Sequence, residues 1–249
     1  MVQPEPRGRR FVHAQGSRSP VMRWWQGRFP LVVVASAVIT IVALYFWWWP
    51  FFDGAWAPSN DPRIVQLHEV LPMLGGAVAL AALQPRVHWI DAQSPRRIAV
   101  ISTVSMAVVI LGFAALPMFT RLLWSLGDWY LYSIPQDSIL HETRALPTYP
   151  FFAAFALNIV AVLALTCGCI AALGRIAGPF TMFLWFGLLL VAQGQANWQG
   201  LAHSKFNSLT MEPTLPDVAI AATCLVLGLG VYSLSRGGAR PTLFDLREK

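Results

Sequence analysis

The chain has 249 residues, of which 56% are hydrophobic and only 12% are charged, and its formal net charge is +6. A soluble globular domain carries roughly twice that charged fraction, so the composition excludes an ordinary soluble protein. The positive charge does not indicate a nucleic-acid binder, because Arg and Lys lie in the tails and between apolar runs rather than along one helix face.

The amino-terminal region combines a polar tail with an aromatic and basic segment. Residues 1–20 are rich in Arg, Pro, Gly and Ser, which predicts a disordered tail. Residues 22–29 (MRWWQGRF) suit either a short segment in the lipid headgroup layer or an ordinary helix flank with aromatic anchors. The apolar run that follows ends in tryptophans rather than in a small-residue cleavage site, which indicates a retained first helix and not a cleavable signal peptide.

Six apolar runs are long enough, or nearly so, for a helix that crosses a bilayer. They cover residues 31–49, 64–83, 98–116, 151–173, 180–194 and 218–234. The fifth is short for a full crossing, so it either continues to about Trp198 or is partly inserted. We therefore predict an all-α polytopic membrane protein, with a transmembrane domain at 21–236 and a cytoplasmic tail at 237–249.

The distribution of basic residues sets the predicted orientation. With six spans and the amino terminus in the cytoplasm, fourteen of the eighteen Arg and Lys residues fall inside. The other four are Arg63, Arg121, Arg144 and Lys205. Omitting one span would place the basic loop at 84–97 or the carboxy-terminal cluster on the wrong side. The sequence therefore predicts that both termini are cytoplasmic, in a cell membrane.

Two outer connections are long. The first, 117–150, contains a segment at 119–132 (FTRLLWSLGDWYLY) whose apolar spacing predicts a helix resting on the outer membrane surface. The second, 196–216, contains Trp198, His203 and Lys205, and it either dips back into the protein or forms an exposed loop.

Several kinds of chemistry have no motif in this chain. There is no G-x-x-x-x-G-K loop, and H-E-x-x-H and G-x-S-x-G are also absent. We therefore expect no ATP hydrolysis, no catalytic residue and no cofactor in this chain itself. Cys167, Cys169 and Cys224 lie in apolar runs and are interpreted as buried hydrophobic residues rather than copper ligands, and the histidine positions disfavour haem.

Polar side chains within the apolar runs are the candidate substrate or vestibule residues. They are His68, Glu69, Asn158 and Gln193. His68 and Glu69 could line an outer vestibule, contact a substrate head group, or join a metal site with His141, Glu142 and His203. The simpler interpretation, which we prefer, places both at the water interface. The two amides either link helices, which is the commoner role, or line a path.

The connection at 84–97 is short and basic, and it is the one compact loop that the predicted topology exposes to a soluble partner. Its candidate contact residues are Arg86, His88, Trp89, Asp91, Arg96 and Arg97. The alternative is that Arg86, Arg96 and Arg97 only fix the topology.

This layout resembles the membrane subunit of ABC-2-type transporters. The resemblance consists of an interfacial amino-terminal segment, six spans, a short internal loop between the second and third, and an outer loop between the fifth and sixth. The third-to-fourth outer loop is longer than in that family. The resemblance implies that 84–97 carries a coupling helix for a separate ATP-binding subunit, which holds ATP and magnesium, and that the chain forms a homo- or heterodimer with a second membrane subunit.

Three functions remain open from the sequence. The first is a permease subunit that moves an apolar or amphipathic compound, since the spans are almost free of charge. The second is a membrane metalloprotein or enzyme with an outer His/Glu site. The third is a non-catalytic accessory subunit of a membrane complex.

The orientation yields a direct prediction for the loop at 84–97. An Asp91→Cys variant, in a background without native cysteines, should react with a membrane-impermeant thiol reagent only from the cytoplasmic side. The measurement is labelling of intact cells against inverted vesicles. Reaction at position 91 from the outside would contradict the predicted topology.

Overall fold

The computed structural model describes residues 28–46, 52–54, 63–84, 96–127, 148–193, 201 and 212–235. These residues contain six α-helices and a two-stranded antiparallel ribbon. The helices are α1 (Pro30–Phe46), α2 (Leu67–Ala82), α3 (Arg96–Ser125), α4 (Tyr149–Ala177), α5 (Thr181–Gln193) and α6 (Leu215–Leu234). The predicted tails and most of the long loops lie outside the described residues.

The helices occur where the apolar runs predicted spans, and the described chain is mostly helical. By length and composition, three segments can cross a membrane: Ala99–Ser125, Tyr149–Gln193 and Leu215–Leu234. The helices Pro30–Phe46 and Leu67–Ala82 are shorter but also apolar. These helices identify a membrane protein, and the count of six spans stays a prediction.

Large apolar side chains cover the outer faces of the bundle. Leu31, Ile176 and Leu215 are 81%, 77% and 82% exposed, and exposed Val, Leu and Phe residues accompany them on five of the helices. A water-soluble protein rarely presents so much contiguous apolar surface. These apolar faces are therefore suited to contact with lipid chains rather than with water.

A short ribbon precedes α2, where the sequence predicted only helices. β1 (Phe52–Gly54) pairs antiparallel with β2 (Arg63–Val65), with Phe52 opposite Val65. Because β2 takes the first residues of the predicted second span, α2 begins at Leu67 rather than at 64.

The predicted surface helix at 119–132 is wrong over its first half, because α3 continues to Ser125. Pro117 lies inside α3, and Thr120 donates a hydrogen bond from Oγ1 to the Leu116 carbonyl, 2.9 Å away, in the same turn. Trp124 is 1% exposed and faces the bundle interior instead of the membrane surface. Residues 128–132 lie outside the described residues.

Contacts between helices fix their directions. Arg28 and Phe29, just before α1, bond to the carboxy-terminal end of α2, and Arg28 also reaches Ser102 near the start of α3. At the other end, the Trp124 indole reaches Tyr45 near the end of α1. We call these two ends of the bundle the Arg28 end and the Trp124 end. Thus α1 and α3 run one way and α2 runs the other.

Helix α4 lies at the centre and packs against α2, α3, α5 and α6. Its contact with α2 depends on Gly76, since a Cβ there would meet the Leu163 side chain. On the other side of α2, a Cβ on Gly75 would meet Thr40 of α1 and Phe113 of α3. The close packing of α2 therefore depends on Gly75 and Gly76, since small residues are what allow such approach in membrane bundles.

The closest approach joins α4 and α6, which run in the same direction. A Cβ on Gly228 would overlap the backbone of Ala164, and one on Gly168 would touch Gly228 and Val231. With no hydrophobic force between helices in lipid, this backbone contact supplies dispersion attraction that a larger residue would prevent.

A tight turn returns the chain from α4 to α5. Gly174 has φ 80° and ψ 179°, a conformation essentially reserved for glycine. A 3₁₀ helix at Gly178–Phe180 follows, with Gly178 packed against Ile170. The predicted fourth and fifth spans are therefore joined without a loop.

The contact between α4 and α6 gives a prediction with a matched control. Gly228→Val should lower the free energy of unfolding by about 1–3 kcal/mol, because its side chain would overlap Ala164. Gly230→Val lies half a turn away, where nothing is within 4 Å of a Cβ, and should have little effect. Thermal unfolding in detergent, followed by tryptophan fluorescence, measures both variants; equal midpoints would contradict this packing.

Candidate functional site

Three polar side chains lie wholly inside the bundle near the Trp124 end. His68 and Glu69 on α2 and Asn158 on α4 are each 0% exposed. Asn158 donates a hydrogen bond from Nδ2 to Glu69 Oε1 at 2.8 Å. The structure thus brings together three of the four predicted vestibule residues.

Burial of Glu69 is offset by two local features. It lies in the first turn of α2, where the helix dipole favours negative charge, and the Asn158 amide donates to its carboxyl group. A buried polar group in an apolar bundle costs several kcal/mol unless it is paired. This pair therefore holds α2 and α4 in one register.

The imidazole of His68 is enclosed by aromatic rings. Its centroid lies 5.1 Å from that of Trp124 and 5.5 Å from that of Phe152, both in edge-to-face geometry. Trp124 in turn donates a hydrogen bond from Nε1 to the Tyr45 carbonyl, 3.2 Å away. The cluster of His68, Glu69, Trp124, Phe152 and Asn158, which we call the Trp124-end cluster, connects α2, α3 and α4 and reaches α1 through Tyr45.

The interpretation of His68 and Glu69 as water-interface residues is wrong, because the protein interior surrounds both. The sequence gives the depth of a residue along a span but not the side of the helix that faces its neighbours. For Asn158, the linking role is confirmed by its bond to Glu69.

Gln193 serves a different part of the molecule. It is 4% exposed at the end of α5, and its Nε2 donates to the Leu201 carbonyl at 2.5 Å. Leu201 has φ 50°, so this bond fixes a left-handed backbone turn after α5.

A second polar site, which the sequence did not single out, lies at the Arg28 end. Arg28 is 3% exposed; its Nε donates to the Leu83 carbonyl at 2.7 Å and its Nη2 to Ser102 Oγ at 3.0 Å. A guanidinium at the carboxy-terminal carbonyls of α2 also complements the helix dipole. We call these bonds the Arg28 brace. Arg28 therefore belongs to the protein interior rather than to the headgroup layer. The one feature of the sequence that could have indicated this is its position immediately before an apolar helix.

The predicted coupling residues lie close to this brace in sequence. Arg96 and Arg97 are the first residues of α3. Arg86, His88, Trp89 and Asp91 lie outside the described residues. Gln84, the last described residue before the loop, is 3% exposed.

Metal-ligating side chains are dispersed in the described part of the chain, where no group of three His, Cys, Asp or Glu residues is placed to hold a metal ion. His141, Glu142 and His203 lie outside it. Cys167 is buried, as predicted, whereas Cys169 and Cys224 are only partly buried. Cys169 Sγ accepts a hydrogen bond from Trp185 Nε1 at 3.4 Å. Chemically, the Trp124-end cluster is suited to holding α2, α3 and α4 together.

Comparison of the chain with protein-family models, with curated proteins and with solved structures finds no match. The functional argument therefore depends on the residues described above.

The Arg28 brace gives a stability prediction. Arg28→Met retains much of the aliphatic stem but removes the donors to Leu83 and Ser102, and should lower the free energy of unfolding by about 1–3 kcal/mol. Arg175→Met is the control, because Arg175 is exposed in the last turn of α4. Thermal unfolding in detergent should show a lower midpoint for the first variant alone. Equal midpoints would show that the brace contributes nothing.

Proposed function

We propose that this chain is the membrane-spanning permease subunit of an ABC-type transporter. It crosses the cell membrane six times with both termini in the cytoplasm, so the Arg28 end is cytoplasmic and the Trp124 end is external. A separate ATP-binding subunit, which carries ATP and magnesium, docks on residues 84–97. A second membrane subunit, identical or related, completes the complex.

The observation that carries this proposal is the Arg28 brace. Residues 84–97 leave α2 at Leu83 and enter α3 at Arg96, and Arg28 is bonded to both helices beside these points. The backbone N–H of Phe29 also donates to the Ala82 carbonyl at 3.1 Å. A force applied to the loop would therefore move the start of α1, the end of α2 and the start of α3 together. Such a rigid unit is what a coupling loop requires.

The position of Arg96 and Arg97 supports a role outside the helix. Both occupy the first turn of α3, which contains no acidic residue. Positive charge at a helix amino terminus opposes the dipole, at a cost of about 0.3–1 kcal/mol per residue. The position of these two arginines therefore favours a role in membrane orientation, in partner binding, or in both, rather than a role in stabilising α3.

The proposed cargo is apolar or amphipathic. Apolar side chains dominate the described core, and its polar groups concentrate at the Trp124 end and at the Arg28 end. A path for a hydrated ion would need charged or polar groups along its whole length.

The described residues do not favour the metalloprotein alternative. The His68 ring packs edge-on against Trp124 and Phe152, and Glu69 accepts a bond from Asn158. The accessory-subunit alternative is separated from the permease by the experiment that follows.

The coupling proposal predicts the behaviour of an Arg96→Ala/Arg97→Ala double variant. The chain should co-purify with an ATP-binding protein, and in the double variant ATP hydrolysis by the complex should no longer depend on cargo, while transport falls at least tenfold. Arg175→Ala is the matched control at the same end of the bundle and should retain coupling.

Two results would contradict the proposal in different ways. Unchanged coupling in the double variant would remove the docking role of Arg96 and Arg97. A stable larger membrane complex with no ATP-binding component and no transport would instead identify an accessory subunit.

A further inference from the structure

The described bundle consists of two three-helix halves. In the amino-terminal half, the Arg28 brace ties α1, α2 and α3 at one end, and the bond from Trp124 to Tyr45 ties α1 and α3 at the other. In the carboxy-terminal half, Gly228 joins α6 to α4, and the bond from Trp185 to Cys169 joins α5 to α4.

The two halves meet along a seam where α4 packs against both α2 and α3, and the polar pair lies on its α2–α4 side. At the Trp124 end, the seam contains the Glu69–Asn158 hydrogen bond and the ring contacts of His68 with Phe152. Deeper in the bundle, Leu163 of α4 packs on Gly76 of α2. Leu163 lies five residues beyond Asn158, or about 7.5 Å farther along the helix axis. An opening of the seam from the external end would therefore expose Glu69 and Asn158 before Leu163.

We propose that the Glu69–Asn158 hydrogen bond is a reversible latch that keeps the external end of the seam closed. The role of this latch in gating a transport path rests on the proposed permease function. Its role in holding the seam closed does not depend on that function.

The chemistry of the pair suits a latch better than it suits permanent adhesion. A carboxylate and an amide bonded to each other in the interior exchange that bond for bonds to water when the seam opens, so the net cost of opening is small. The Gly228 contact between α4 and α6 has no such compensation. If those helices separated, their dispersion contacts would be lost and water would supply no equivalent attraction. Movement is therefore expected at the α2–α4 seam rather than within the carboxy-terminal half.

A buried cysteine on the seam reports its opening. The reference protein carries Leu163→Cys with Cys167, Cys169 and Cys224 replaced by alanine, in membrane fragments open on both sides. Leu163 is 0% exposed, so a water-soluble maleimide should react slowly. Leu126→Cys in the same background is the fast control, since Leu126 is 77% exposed at the Trp124 end. This assay needs neither an ATP-binding partner nor a known orientation, so its failure is distinct from failure of the permease proposal.

Three variants of the reference decide the proposal. Asn158→Leu removes the donor and should raise the labelling rate at 163 about tenfold or more. The isosteric exchange Glu69→Gln with Asn158→Asp reverses the amide and the carboxylate, and should return the rate to near the reference value. Gln193→Leu removes a buried amide of the carboxy-terminal half that bonds to Leu201, away from the seam, and should leave the rate unchanged.

The latch is overturned if Asn158→Leu labels no faster than the reference. It is equally overturned if the exchanged pair labels as fast as Asn158→Leu, because the hydrogen bond would then not be the determinant. If Asn158→Leu does not accumulate in the membrane, Asn158→Ala is measured instead. It should label faster than the reference, and the exchanged pair should label more slowly than Asn158→Ala.

Discussion

Pairing of buried polar groups within an apolar bundle is the constraint on which this structure depends. Helix α2 meets it at both ends: Glu69 lies in its first turn, and Arg28 reaches the carbonyl group just beyond its last residue. The acid thus lies at the positive end of the helix dipole and the base at the negative end. Each of these side chains is also hydrogen-bonded to another helix, so the same side chains that complement α2 hold it against α3 and α4.

The two polar sites act on a scaffold built by close backbone approach. Gly75 and Gly76 let α2 fit between α1, α3 and α4, and Gly228 brings α6 against α4. Dispersion forces there are strong and specific, because a methyl group at any of these positions would collide with its neighbour. The carboxy-terminal half is thus held by the contact at Gly228, whereas α2 and α4 meet through both the glycine contact at Gly76 and the polar pair at the Trp124 end.

The apolar runs located the six α-helices of the described residues, because runs of that length have few other stable conformations in a membrane protein. Helix ends were less predictable. The third predicted span ends at 116, yet the helix continues to Ser125, with Trp124 and Thr120 at buried positions on its inner face. The two-stranded ribbon before α2 was also not predicted, since three-residue strands leave too short a pattern to recognise.

The composition of the polar cluster was predictable, but its geometry was not. His68, Glu69 and Asn158 stood out as polar residues in apolar runs. Their mutual contact, however, depends on the rotation of α2 relative to α4, which cannot be predicted from a single sequence. Arg28 was missed for a related reason: a basic residue beside a span normally signals orientation, and only its contacts with Leu83 and Ser102 distinguish it.

The turn at Gly174 has a consequence for the surrounding lipid. Only the 3₁₀ helix at Gly178–Phe180 separates α4 from the 13 described residues of α5. Near this turn, the Trp185 indole of α5 bonds to Cys169 of α4. Lipid chains therefore have little room to enter between the two helices at the Arg28 end, and they meet α4 and α5 there as one continuous apolar surface that includes Ile176, Phe183 and Leu184.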